Sequence, residues 1–327
     1  MGGLAIGASA MNPLFSLAIA TYNRETMLRQ CIQSCLMQEF TDFEIVVVDG
    51  ASTDGSVAMA RQFSDSRVRL FVQSENLGIS AGRYDAVIHS RGGWIVQVDS
   101  DHVLEVDALN VLKHAIDNLH DDRIGAVCAR YRWDDGHVTP AFIPLGTINY
   151  EARMRWVERE GGRDCVFCAR RSALLESNWF KDRKASMDAL FHLNFSKRWR
   201  ELFINHEIAR QCANAGNSST RGHVGRARSL RKWGPDMAWQ YEEIVRVHGK
   251  ALSIHGPSAF REALRQASLH NFYSGNRKLA VRYGLNYLRE APTDFCYWAV
   301  LVTGVFAPPL LGYLNQWRHA FRDKFGI

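Results

Sequence analysis

Two acidic clusters stand where strand-like runs give way to polar turns. Trp94-Ile-Val-Gln-Val98 ends at Asp99-Ser100-Asp101, and Phe43-Glu-Ile-Val-Val-Val-Asp49 ends at Gly50-Ala-Ser-Thr-Asp54-Gly55. Carboxylates at i and i+2 suit a hard divalent cation, Mg²⁺ or Mn²⁺, which takes oxygen ligands and commonly shares them with substrate phosphates. The same spacing is also ordinary turn chemistry. A carboxylate such as Asp49 can accept a ribose hydroxyl or a nucleobase N–H, and a helix N-cap without any ligand explains it equally well. No Gly-x-Gly-x-x-Gly follows the first strand-like run and no Gly-x-x-x-x-Gly-Lys-[Ser/Thr] occurs. Dinucleotide redox chemistry and P-loop phosphoryl transfer are therefore disfavoured.

The elements that must position these clusters alternate. Strand-like runs cover Phe15–Ala20, Phe43–Asp49, Val68–Val72 and Trp94–Val98. Between them lie helical patterns: Leu28, Cys31, Ile32, Cys35 and Leu36, then a segment from Ser56, then Gly78 to Ser90. This βαβαβαβ order implies an α/β fold with a doubly wound, mostly parallel sheet flanked by helices, binding ligands at its carboxyl strand ends. Residues 121–220 mix short strands with a helix around Met187–Trp199, and Gln240 to Arg289 reads as mostly helical.

Composition narrows the class. The 327 residues carry 40 Lys+Arg against 34 Asp+Glu, and 46% hydrophobic with 23% charged content is that of a globular chain. Residues 1–120 hold 8 basic and 14 acidic side chains, and residues 121–327 hold 32 and 20. That split excludes a uniformly basic nucleic-acid binder. Seven scattered cysteines suit a reducing compartment, and Cys165-Val-Phe-Cys168, lacking a partner pair, reads as buried thiols. The start lacks a basic n-region, so no signal peptide is expected and the location is cytoplasmic.

In order along the chain stand Thr21-Tyr22-Asn-Arg24, Phe43 to Asp54, Glu75-Asn-Leu-Gly78, Gly82-Arg83-Tyr84, and Gly92-Gly-Trp-Ile with Asp99-Ser-Asp101. These five blocks resemble the family 2 glycosyltransferases of the GT-A type over about residues 14–110. The resemblance implies an inverting enzyme using a UDP-, dTDP- or GDP-sugar, with a glycan or lipid-linked acceptor, in bacterial envelope or exopolysaccharide synthesis. It implies that Thr21, Tyr22, Arg24, Asp49, Asp54, Arg83, Asp99 and Ser100 meet the donor. Asp101 and Asp99 would hold Mg²⁺ or Mn²⁺. Residues 1–12 are then a flexible N-terminus and 13–220 the transferase domain, with a donor half (13–120) and an acceptor half (121–220). Residues 221–327 form a helical C-terminal region.

Two positions depart from the family pattern. Tyr84 stands where Asn is common, and His102 where a further acid often follows; His102 reads as a solvated loop residue or as a modifier of metal preference. Inverting transfer needs a carboxylate to take the acceptor proton. The family's Glu-Asp pair falls on Met187-Asp188, so Asp188 is the expected base, with Glu207 and Asp182 in reserve. A carboxylate that merely favours the helix dipole is the plainer alternative.

Two further features remain. Residues 208–235 hold Arg210, Arg221, Arg226, Arg228, Arg231 and Lys232 without an acid, a phosphate-facing loop or a solvated basic surface. Residues 295–317 are uncharged and interrupted by Pro308-Pro309, and read as a peripheral membrane segment or as helices packed on the domain. A sugar nucleotidyltransferase and a catalytically inactive sugar-nucleotide or membrane-binding protein stay open as alternatives.

Overall fold

The structure, a computed structural model, describes residues 12–144, 146–161, 165–212 and 223–306, with the side chains of the last stretch described from 232. Its first part follows the alternation expected: β1 (Phe15–Thr21), α1 (Glu25–Leu36), β2 (Phe43–Asp49), α2 (Ser56–Ala60), β3 (Val68–Val72), α3 (Ile79–His89) and β4 (Trp94–Gln97). These four strands are mutually parallel in the order β3-β2-β1-β4. β1 and β2 are buried along their whole length, which is why Phe-Ser-Leu-Ala-Ile-Ala and Phe-Glu-Ile-Val-Val-Val are nearly continuous apolar runs.

Side chains alternate between two cores. Leu17, Ile19 and Ile45 point to one face, against Leu28, Cys31 and Ile32 of α1. Ala18, Val46 and Ile95 point to the other, against Ala86 and Val87 of α3.

The remainder comprises β5 (His102–Leu104), α4 (Ala108–Asp117), β6 (Ile124–Trp133), β7 (Val138–Thr139), β8 (Gly146–Ile148), α5 (Tyr150–Glu160), β9 (Val166–Arg170), α6 (Arg171–Leu175), α7 (Asp188–Arg198) and β10 (Arg200–Gln211). Here the sheet ceases to be purely parallel. β9 runs antiparallel between β4 and β6, β10 runs parallel to β6, and β5 closes antiparallel on β10. α5, α6 and the full length of β10 are not distinguished by the sequence pattern, because β10 places Arg200, Asn205, His206 and Glu207 among its apolar residues.

Among the described residues four helices follow: α8 (His223–His255), α9 (Pro257–Tyr273), α10 (Arg277–Glu290) and α11 (Phe295–Phe306). They join the α/β part through a core of Met154, Met187, Leu190, Leu193, Ile244, Leu252 and Ala263. Cys31, Cys35, Cys128, Cys165 and Cys168 are buried thiols. Residues 1–11, Arg221, the side chains of Arg226, Arg228 and Arg231, and residues 307–317 lie outside what is described. Among the described residues no helix is long and apolar enough to cross a membrane.

Candidate active site

β1, β2 and β4 end side by side, with Thr21 in register with Asp49. The strand order reverses between β1 and β4, which opens a crevice at their carboxyl ends. The loops leaving β1 and β2 are tied together. Asn23, at φ 52°, accepts the Thr53 amide at 2.8 Å and donates its own amide to Ser52 Oγ at 2.8 Å. A positive φ is tolerated better by Asn than by most residues. Ser52 in turn donates its amide and hydroxyl to the two oxygens of fully buried Asp49, at 2.7 and 2.6 Å. Asp49 therefore shapes the crevice floor while each oxygen keeps capacity for another donor.

Asp54 accepts amides of Glu25 (3.3 Å) and Ser56 (2.9 Å), a capping use of its carboxylate. Tyr22, next to Thr21, is exposed, and Ser100 is buried. Thr21 Oγ1 is buried with no hydrogen-bond partner, an orphaned polar atom at the end of β1.

Past β4, two guanidinium groups hold the acidic pair. Arg24 Nη1 lies 2.9 Å from Asp101 Oδ2, which also takes Gln211 Nε2 at 3.3 Å. Arg83, on α3, reaches Asp99 Oδ1 at 2.6 Å through Nη2 and Asp188 Oδ1 at 2.5 Å through Nη1. One side chain thus joins the carboxylate after β4 to the one that begins α7. Burial is the largest single influence on Asp99 and opposes its ionisation, but the Arg83 charge and hydrogen bond, together with His102 and Arg24, outweigh it and hold the carboxyl at about 2. Asp188 is likewise kept below the usual carboxylate range: burial raises it most, and the Arg83 charge, with Ser186, His192 and the Arg83 hydrogen bond, together overcome that.

Asp188 is placed by a grip from behind. Asp236 Oδ2, on α8, accepts the amides of Lys184 (2.9 Å) and Ala185 (3.0 Å). Gln240 Oε1 stands 3.5 Å from the Leu190 amide. His248 is fully buried, and burial pushes it down to about 4, so the ring is neutral at pH 7. It links Tyr150 Oη at 2.7 Å and Asn194 Oδ1 at 3.1 Å, joining α5, α8 and α7. From the front, Gly78 (φ +94°) lets α3 approach so closely that a Cβ there would lie 2.5 Å from the Lys184 backbone. Nothing in the sequence pattern marks Asp236, Gln240 or His248; an uncompensated polar residue on a helix face is the faint signal each leaves.

A family model described as glycosyl transferase family 2 matches residues 16–182, half of the chain. The chain belongs to glycosyl transferase family 2. Glycosyltransferase GlyA of Streptococcus pneumoniae serotype 4 is 33% identical over 137 residues, 42% of this chain and 19% of that protein. The chain thus spans about a fifth of GlyA's length. Among solved structures, S. aureus TarS 1-349 in complex with UDP-GlcNAc superposes with a TM-score of 0.53 at 15% identity, covering 94% of this chain and 92% of that one. The mannosyltransferase PcManGT of Pyrobaculum calidifontis, in complex with GDP-Man and Mn2+, gives 0.53 at 19%, covering 94% and 84%. These likenesses establish the GT-A type of fold.

In this family 2 chain the unusual positions have structural reasons. Met187, at the place of the customary Glu, is buried in the core shared with Ile244 and Leu252 of α8. Tyr84 packs against Trp179 at 6.5 Å and carries the Lys181 ammonium 4.7 Å from its ring centre. His102 is not a solvated loop residue: it is buried at the start of β5, its ring 4.8 Å from that of Tyr131. Single donor atoms of Asp99, Asp101 and His102 all lie within 4.8 Å of one another. Two carboxylates and an imidazole fit a divalent cation, and the nitrogen suits Mn²⁺ better than Mg²⁺. Of the reserve bases, Glu207 is paired with Arg132 on β6, and exposed Asp182 with its neighbour Arg183 at 3.4 Å.

Proposed function

We propose that the chain is an inverting glycosyltransferase that moves a sugar from a nucleoside diphosphate donor to a hydroxyl of a glycan or lipid-linked acceptor, on the cytoplasmic side. The observation that carries this reading is the Arg83 bridge between Asp99 and Asp188. It brings the donor-side acid and the candidate base to the two terminal nitrogens of one guanidinium, the kind of close positioning on which a direct displacement depends.

The donor half would bind the nucleoside over Asp49, Tyr22 and the orphaned hydroxyl of Thr21. A cation held by Asp99 and Asp101, with His102 beside them, would neutralise charge on the departing diphosphate. Arg83 and Arg24 would turn from their carboxylates to the diphosphate oxygens, which guanidinium forks suit by geometry. Losing Arg83 to the donor leaves the Asp188 carboxylate without its cation. Its affinity for a proton rises at the moment the acceptor hydroxyl must give one up.

Asp188→Asn tests the assignment. Transfer should fall about 10²- to 10⁴-fold, the usual worth of a general base, while nucleoside diphosphate binding by calorimetry stays intact. Unchanged turnover would remove Asp188 from the mechanism. Retention of anomeric configuration in the product, read by NMR, would overturn the single displacement.

A further inference from the structure

α11 has two apolar faces, and among the described residues one is buried and the other exposed. Its inner face, Tyr297, Val300, Leu301 and Gly304, is buried. Gly304 approaches the Phe272 ring so closely that a Cβ would stand 2.7 Å away, and the Tyr297 and Tyr287 rings meet at 4.6 Å. The outer face carries Phe295, Trp298, Val302 and Phe306, which are 76%, 43%, 53% and 82% exposed. The spacing of three, four and four residues puts them on one stripe. The whole helix, Phe-Cys-Tyr-Trp-Ala-Val-Leu-Val-Thr-Gly-Val-Phe, lacks a charge. An exposed stripe of this kind marks an interaction surface.

Charge on the neighbouring helix selects the partner. α10 exposes Arg277, Lys278, Arg282 and Arg289 against one exposed acid, Glu290. Among the described residues none of the four cations takes part in an ion pair; Arg289 bonds only the side-chain oxygen of Asn286, at 2.9 Å. The sequence following α11 continues the theme, with uncharged residues to Trp317 and then Arg318, Arg322 and Lys324 against Asp323. A second copy of the chain on this face would bring like charges together. An anionic lipid surface would take both the aromatic stripe and the cations.

We propose that α10 and α11 form a docking face for an anionic lipid monolayer, with Phe295, Trp298, Val302 and Phe306 entering the headgroup–acyl boundary. The 12 described residues of α11 cover about 18 Å, and their exposed stripe suits a helix lying along the interface. The proposal stands apart from the assignment of Asp188 and the donor site, since it rests on the opposite end of the chain.

Vesicle sedimentation tests it, using phosphatidylcholine vesicles with and without phosphatidylglycerol. The intact chain should partition at least about tenfold better onto the phosphatidylglycerol vesicles, with an advantage that shrinks in high salt. The combined Phe295→Ser, Trp298→Ser and Phe306→Ser variant should stay in the supernatant while keeping the thermal unfolding profile of the parent. Should that variant unfold, Arg277→Gln with Lys278→Gln and Arg282→Gln, all on the exposed side of α10, should abolish the salt-sensitive part of binding. Failure of the parent to bind either vesicle overturns the proposal, as does undiminished binding by both variants. A dimer of the parent in solution that the serine variant dissolves, without vesicle binding, assigns the face to a second copy instead.

Discussion

Arg83 and Asp188 are 105 residues apart in the chain and 2.5 Å apart in the fold. The contact ties the third helix of the parallel half to the first turn of α7, and it lowers the Asp188 carboxyl against the pull of burial. Replacing Arg83 by Gln removes the largest influence that opposes burial, so the Asp188 carboxyl should rise. A base works only when deprotonated, so the acid limb of the kcat profile should move to higher pH in Arg83→Gln. Donor affinity should fall as well. An acid limb that stays in place would mean that Arg83 does not govern Asp188.

Asp236 is a positioning residue that touches neither donor nor acceptor. Asp236→Ala removes the acceptor for the Lys184 and Ala185 amides. The cost in unfolding free energy should be about 1–3 kcal/mol, with kcat lowered and donor affinity unchanged. Asp236→Asn keeps one oxygen for both amides and should recover most of the activity. Equal loss in the two variants would assign Asp236 some other task.

Restoring the customary acid at Met187 should harm the protein. The side chain is 1% exposed among Leu190, Leu193 and Ile244, and a carboxyl there lacks a cation within the cluster. Met187→Glu should lower stability by about 3 kcal/mol, read from the shift in denaturant midpoint, with no gain in turnover. An unshifted midpoint would show that the position is open to water.

Removal of divalent cations with a chelator should abolish transfer, and added Mn²⁺ should restore it. His102→Gln replaces an imidazole donor by a harder, weaker amide oxygen. It should weaken Mn²⁺ binding, followed by electron paramagnetic resonance, by about tenfold and more than it weakens Mg²⁺. Equal effects on both ions would leave His102 a packing partner of Tyr131.

The placement of the acidic clusters was legible because they sit at strand ends, where pattern and position coincide. Asp49 closes a β-branched run, and Asp99-Ser-Asp101 follows another after two residues or fewer. Asp188 could be placed because it begins a helical segment at the expected distance. His102 was read as loop because it directly follows Asp99-Ser-Asp101, whereas the burial comes with Tyr131, brought over by β6 pairing with β10. The grip on Asp188 was illegible for a related reason. Asp236 and Gln240 bond backbone amides some 50 residues away, and an amide carries no residue identity that a sequence can display.

That grip orders events in time. Every motif that marks the family lies before residue 189, yet the loop before Asp188 is fastened by side chains on α8, a 33-residue helix. During synthesis the donor half leaves the ribosome first and can fold around its parallel strands. Asp188 cannot settle until Asp236, Gln240 and His248 have emerged and docked. A nascent chain would therefore be able to hold a nucleotide well before it could spend one, and a truncation after β10 should leave a donor-binding protein that is silent in transfer.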